Sequence, residues 1–531
     1  MSDNGTATET AGAKGVGHTQ DNYKGIFDIS DADGVNESER LLMRLCRRSF
    51  LSLWSFANLH TDQDMRDGRG SAKEFADVLV VFGNDVVIFS DKHVAFQQDQ
   101  ELSVAWKRWY KRAVSSSAKQ LHGAMGWASR FPHRVYLDSA CQRPLPVSIP
   151  DASQARYHLV AVTRGSVEAC ATHFAGSRGT LVINTEVKGP AHENFPFTVG
   201  VVTPGKEFVH VFDEISLEFV LRELDTVSDF VAYLSDRRAL LDRPETGVIA
   251  PGEEQLLAAY LRNGDELRRS FLPTNQQHEN PGLILFDERQ FEGLMGNPQY
   301  VEKKRLDRPS YFWDALIENF IRLGDPNELV PYFHQENADL EEGLRLLARE
   351  SRFRRRILSD ACAGALRSAR AKNARNARLF TTDQEPTTVY VFLIQPKDDE
   401  DDYAAYRRHR IAVLHAYTKC AKLRFPEGTT FIGLAFDHPN KNYRGSSEDL
   451  FVFNCEHFSD EDRAEAERYR RDLGIVREGL EVKRMHASEY PDFITRADTA
   501  AQDAKFAQAR QEKRKRNRAK MAKASKRRNR K

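Results

Sequence analysis

From Asn36 onward the apolar residues recur at three- and four-residue steps. Leu42, Leu45, Cys46, Phe50, Leu53 and Trp54, with Ser49 among them, form one stripe, which predicts an amphipathic helix. The preceding residues 1–30 are polar, rich in Gly, Thr and Asp, and read as a disordered leader with no secretory signal. Thr61–Ser71 has the composition of a loop. Two apolar runs follow, Phe75–Phe82 and Val86–Phe89, separated by Gly83-Asn84-Asp85, which is the pattern of a tight β-hairpin. Leu102–Ala128 is helical again, with Ala105, Trp109, Ala113, Ser117, Gln120 and Ala124 on one face and Lys107, Arg108, Lys111 and Arg112 on the other. His133–Leu137 predicts a further strand, and the proline-rich Arg143–Pro150 closes this unit.

Beyond it, residues 158–162, 179–184, 197–202 and 208–212 read as strands, followed by one helix over Leu217–Leu241. Residues 252–385 are mostly helical and charged, and YFWDALIENFIRLG is their most amphipathic piece. A small α/β pattern then begins: strand Val389–Ile394, helix Tyr403–Leu423, strands Thr430–Phe436 and Leu450–Asn454, and helix Asp460–Leu473. The expected class is α/β multidomain. Its parts are a leader (1–30), a first core (31–150), a β-rich extension (151–245), a helical region (246–385), a small α/β domain (386–500) and a basic tail (501–531).

Charge sharpens this picture. The net charge over 531 residues is only +1. Residues 505–531, however, hold 14 of the 78 Lys and Arg and one of the 77 acids, which leaves 64 against 76 in the remainder. A mildly acidic body with a strongly cationic tail suits a polyanionic partner, and Lys513, Arg514, Lys515, Arg516, Arg527 and Arg528 are candidate phosphate contacts. Six scattered cysteines without a CxxC pair argue for neither a zinc ribbon nor a disulfide framework, and a cytoplasmic location is expected. No apolar stretch approaches the roughly 18 residues of a membrane-spanning helix, so no membrane partner is expected. Walker, Gly-x-Ser-x-Gly and His-Glu-x-x-His motifs are absent.

Candidate chemistry concentrates in Lys73–Lys92. Asp77 opens one predicted strand, and the next ends in Ser90-Asp91-Lys92. In an antiparallel hairpin the start of the first strand lies beside the end of the second, so Asp77 can meet Asp91 and Lys92. Paired carboxylate oxygens suit Mg²⁺, and an adjacent lysine can orient water and neutralise charge on a phosphate. Glu39 falls on the apolar stripe of the first helix, where a lone carboxylate is costly unless it binds something or caps the helix. Gln120 lies on the apolar face of the second helix, and Lys107, Lys111 and Lys119 are candidate phosphate contacts.

At these residues the chain resembles the restriction-endonuclease-like, or PD-(D/E)xK, nuclease superfamily over about residues 37–140. The resemblance implies a core of helix, β-meander, helix and strand. It also implies a Mg²⁺ or Mn²⁺ site in which Asp77, Asp91 and Glu39 bind metal while Lys92 and Gln120 support the reaction. The sequence departs from the pattern at Ser90, where the acid two residues before the lysine should stand; Asp91 is adjacent instead. A second textual match, Glu186-x-Lys188, lacks a convincing acid upstream other than Glu168. Arg352–Arg356 (RFRRR) reads as either a nucleic-acid patch or a basic helix face, and Asp437-His438 with Glu448-Asp449 as either a cluster at strand ends or surface turns, with turns favoured.

The expected function is metal-dependent hydrolysis of phosphodiester bonds, of DNA rather than RNA, in defence against foreign DNA. The alternatives are an inactive nuclease fold that binds nucleic acid or another protein, and an RNA-directed nuclease. A protein partner or a second copy would meet the middle and C-terminal domains.

Overall fold

The structure is a computed structural model. It describes residues 27–29, 32–65, 70–264, 268–273, 282–323, 337–382, 384–397, 402–440, 447–477, 479 and 485–491. Most of the expected leader and the whole basic tail, with Lys513, Arg514, Lys515, Arg516, Arg527 and Arg528, lie outside these residues.

Helix α1 (Glu37–Phe50) is capped by the Asn36 side chain, which accepts the Glu39 N–H; acids in its first turn and Arg47 and Arg48 in its last complement the helix dipole. At Leu51 the backbone turns to φ 66°, which ends the helix. Leu53 and Trp54 therefore lie in a turn rather than on the helical stripe. They lead into a strand the sequence pattern did not announce, β1 (Ser55–Thr61). Strand β2 (Lys73–Phe82) pairs antiparallel with β1 and with β3 (Asp85–His93), around a turn where Gly83 has φ 59°.

Helix α2 (Leu102–Tyr110) runs through one π-turn at Lys111–Ser115 into α3 (Ser116–Arg130). The strand expected at His133–Leu137 is reduced to isolated bridges from Tyr136 to His60 and Pro144. The neighbour of β3 is instead β4 (Arg156–Arg164), parallel to it through nine residue pairs. After α4 (Val167–His173), β5 (Val182–Lys188) and β6 (Thr198–Val201), strand β7 (Val209–Asp213) adds in parallel to β4. The first sheet is thus β1-β2-β3-β4-β7, and a boundary after residue 150 divides it.

The expected long helix over Leu217–Leu241 is two, α5 (Glu214–Glu223) and α6 (Val227–Leu241), because the Thr226 hydroxyl caps a new start by accepting the Asp229 N–H. Phe89 packs on Phe50 of α1 and Phe230 of α6, while Ser90 faces Ser117 of α3, so helices cover both faces of the sheet.

A second sheet, β11-β8-β5-β6, joins β8 (Gly247–Ala250) and, after α7 (Glu253–Arg262) and the two-residue strands β9 (Asn263–Gly264) and β10 (Arg269–Ser270), β11 (Leu283–Leu285). Helices α8 (Gln290–Met295), α9 (Pro298–Asp307), α10 (Tyr311–Leu323), α11 (Asn337–Ala348) and α12 (Arg352–Lys372) follow. The last sheet starts earlier than residue 386, at β12 (Asn376–Thr382), and continues with β13 (Glu385–Gln395), α13 (Tyr403–Arg424), β14 (Thr430–Asp437) and β15 (Glu448–Asn454), before α14 (Asp460–Leu473). Only β13 and β14 are parallel there, joined by α13.

The parts share a core. Trp313 of α10 meets Tyr390 and Phe392 of β13 edge-on. The Trp54 indole N–H donates to Glu341 of α11, and the Ser52 N–H and hydroxyl both donate to Glu318 of α10. No helix among the described residues is long and apolar enough to cross a membrane.

Candidate active site at the ends of β2 and β3

Val78 opposite Phe89 is the last regular pair of the β2–β3 hairpin on this side. Beyond it, the Asp77 carboxylate takes over the role of a strand carbonyl: its Oδ2 accepts the backbone N–H of Asp91 at 2.5 Å. The buried run Val78–Phe82 fixes β2 in the core and draws Asp77 in with it, to 5% exposure. Burial, helped by the charges of Glu74 and Glu39, raises this carboxyl from 3.8 to about 7, against the opposing pull of the Asp91 N–H and of Lys92. Lys92 itself is half-buried, and its ammonium makes no hydrogen bond or close ion pair among the described residues. It acts on Asp77 through the electrostatic field alone.

Asp91 does not join this pair. Neighbours on a strand point to opposite faces, and its side chain, 0% exposed, is gripped by Arg164 of β4. The Arg164 Nε lies 2.9 and 3.2 Å from the two carboxylate oxygens and Nη2 lies 3.1 Å from Oδ2. Asp91 is therefore not the metal ligand that the resemblance implies. An arginine 73 residues away already neutralises it. Ser90 takes the other face, where its hydroxyl donates to the Ser117 Oγ at 3.3 Å and to the Gln120 Oε1 at 3.4 Å. Gln120 therefore stands beside the position left by the missing acid.

Glu39 is partly engaged. Its Oε2 accepts the Val35 N–H at 2.7 Å and its Oε1 accepts from the Asn36 amide, which closes the start of α1. An open cavity of about 600 Å³ adjoins this helix start, lined by Asn36, Glu37, Ser38, Asp91, His93 and Ala95.

Among the described residues, no group of three or more His, Cys, Asp or Glu is arranged to hold a metal ion. The three-carboxylate set of Glu39, Asp77 and Asp91 is therefore not assembled. Asp77 still has the chemistry of a Mg²⁺ ligand, since it is a buried carboxylate whose charge burial and two acids disfavour, and Mg²⁺ needs few protein oxygens beside water and substrate. Glu39 bears on it through its charge, the weakest of the influences on Asp77.

Of the expected phosphate contacts, Lys107 is paired with Glu193 at 2.6 Å, whereas Lys111 and Lys119 are exposed. Glu186 and Lys188 are exposed on β5, and Glu168 is exposed on the helix α4. The Arg352–Arg356 run is no surface patch. Arg352 pairs with Asp225 and Asp314, Arg355 with Asp314, and Arg356 with Asp307, the three arginines buried, because acids distant in sequence converge on α12. Asp437 and Asp449 do come together, with Glu448 beside them, around Arg410, which donates to both. Their positions at strand ends allowed such a cluster, against the reading as surface turns; the arginine that joins them arrives from α13 and had no signal in the spacing.

Comparisons with protein-family models, with curated proteins and with solved structures find no significant match.

Proposed function

We propose that this chain is a metal-dependent phosphodiesterase acting on DNA, with Asp77 and Lys92 as its working groups. The observation that carries the reading is a buried carboxylate of raised pKa and an otherwise unpaired ammonium on two adjacent strands. It is supported by the order of residues 37–164: helix, antiparallel three-strand meander, helix, parallel strand. That is the order the restriction-endonuclease-like resemblance implies. Defence against foreign DNA is the setting proposed by analogy with that superfamily.

In this assignment Asp77 supplies a hard oxygen, and Glu39 supplies a second once it leaves Val35 and Asn36. Mg²⁺ or Mn²⁺, when bound, supplies positive charge at the phosphate and acidifies a water. Lys92 orients the attacking water and offsets the charge that develops on the phosphate oxygens. Gln120 with Ser90 shapes the wall behind it. Asp91 becomes a positioning residue: pinned by Arg164, it presents its backbone N–H to Asp77.

A second reading has its own observation. Ser90 stands where an acid is expected, and Asp91 is already neutralised; the chain then binds nucleic acid without cutting it. The two readings part in one experiment. Full-length protein is incubated with supercoiled plasmid and with RNA, in Mg²⁺, Mn²⁺ or EDTA, beside Asp77→Asn and Lys92→Met. The expected result is metal-dependent nicking of DNA that falls by about a hundredfold or more in both variants. Nicking that survives both substitutions refutes the site. DNA bound yet intact in every metal favours the second reading, and cleavage confined to RNA refutes the choice of DNA.

A further inference from the structure

Helix α12 has two unlike halves. In the first, Arg352, Arg355 and Arg356 are consumed by buried ion pairs. In the second and in the strand after it, residues 361–382 contain Arg367, Arg370, Lys372, Arg375 and Arg378 and no acid. Arg367, Arg370, Lys372 and Arg375 are exposed. Among the described residues the side chains of Arg367, Arg370 and Lys372 have no hydrogen-bond or ion-pair partner. Arg375 reaches the Tyr417 side chain of α13, and the charge of the exposed Arg477 is also felt there, so positive charge continues beside the neighbouring helix.

This strip is built rather than loose. Asn440 donates to the Arg370 carbonyl at 2.9 Å and to the Asn373 Oδ1 at 3.2 Å, and the His438 Nε2 lies 3.1 Å from the Ala369 carbonyl, so the loop after β14 fixes the end of α12. Arg378 folds back along the helix, donating to the Ala361 carbonyl at 3.0 Å. Gly364 leaves room for it, since a Cβ there would stand 2.5 Å from the Arg378 Nη1. A solvated helix face commonly mixes both signs of charge. Dipole complementarity accounts for cations in the last helical turn, and not for Arg375 and Arg477 beyond it.

We infer that the second half of α12, with Arg375, is a docking surface for the phosphate backbone of duplex DNA. Charge complementarity names the partner. Arg367 and Arg370 are one turn apart, about 5–6 Å between Cβ atoms, and duplex DNA offers one negative charge per roughly 1.7 Å of axis. Contacts of this kind hold the backbone and read no sequence. The choice of DNA over RNA rests on the functional reading above; the cationic surface itself does not.

The test measures binding of full-length protein in EDTA, where no cleavage intervenes. Fluorescence anisotropy with a short DNA duplex and with an RNA duplex of the same sequence is followed between about 50 and 200 mM salt. The variants are Arg367→Gln/Arg370→Gln/Lys372→Gln/Arg375→Gln, the charge-keeping Arg367→Lys/Arg370→Lys/Arg375→Lys, and Arg370→Gln alone, which guards against misfolding of the quadruple change. For the quadruple variant the slope of log K against log salt is expected to shrink by about 3–4, and for Arg370→Gln by about 0.9. The lysine variant keeps the wild-type slope, because a phosphate surface reads charge and a structural role reads shape. Unchanged slopes in both glutamine variants overturn the surface, and a loss seen with RNA alone overturns its assignment to DNA. Reduced DNA binding in EDTA sustains the surface even where the plasmid assay finds no nicking, so the two proposals fail separately.

Discussion

Two sheets of this protein carry acids at the ends of their strands, and they treat them differently. In the C-terminal sheet, Arg410, itself 0% exposed, donates to Asp437 and Asp449, Arg407 adds a second contact to Asp449 at 2.9 Å, and the Tyr403 and Tyr406 hydroxyls complete the shell of Asp437. Each of those carboxylates has a cation in contact. In the N-terminal sheet Asp91 receives the same treatment from Arg164, but Asp77 receives only a backbone N–H and the field of Lys92. Compensated acids hold a fold together. An under-compensated one costs stability and persists where it has another use.

Breaking the compensated side should give the largest loss. Arg410→Leu takes the contacting cation from Asp437, leaves Asp449 with Arg407 alone and removes a buried guanidinium, and denaturant unfolding is expected to show a loss of about 3 kcal/mol. A variant as stable as the parent would show that Asp437 and Asp449 are satisfied without it.

The opposite sign is expected at Asp77. Its folded pKa, about 7, lies above the ordinary 3.8, so the folded state binds this proton more tightly than the unfolded chain does. The group's favourable contribution is complete below about pH 4 and is lost as pH rises through about 7. Asp77→Asn should therefore be more stable than the parent at pH 8, by up to about 4 kcal/mol, with the difference opening between pH 4 and 7 and flat above. Melting curves that stay parallel across that range would remove Asp77 from the comparison.

The smallest effect belongs to Glu39. Its charge is the least of the causes raising Asp77. Glu39→Gln should move the midpoint of the Asp77-dependent stability change downward, at a scale under about 1 kcal/mol. An upward shift would contradict the electrostatic coupling of α1 to the site.

Much of this was legible in local pattern. The β2–β3 hairpin, the helix over Leu102–Ala128 and the meeting of Asp77 with the far end of β3 follow from alternation, periodicity and a Gly-Asn turn, although Asp77 lies in the middle of β2, which starts at Lys73, and not at its start. Strand β1 was hidden because Ser55, Asn58 and His60 break its apolar run, and because Leu53 and Trp54 continue a helical spacing past the point where Leu51 turns the backbone. The split between α5 and α6 was masked by the apolar Leu224 before the cap at Thr226. What local pattern could not carry was partnership over distance. Whether Asp91 binds metal or an arginine was decided by Arg164 on a strand read as part of another domain, and RFRRR became interior because Asp225, Asp307 and Asp314 meet it from three elements.

The bond from Trp54 to Glu341 joins residues 287 apart in the sequence. At the usual pace of synthesis, about 5–20 residues per second, that span takes on the order of 15–60 s to emerge from the ribosome. The last strand of the first sheet, β7, ends at Asp213, so in the later part of that interval the sheet has all its strands but not the helix that satisfies Trp54. The nascent chain thus has a waiting period written into its topology, in which a chaperone or a premature partner strand would find its opening.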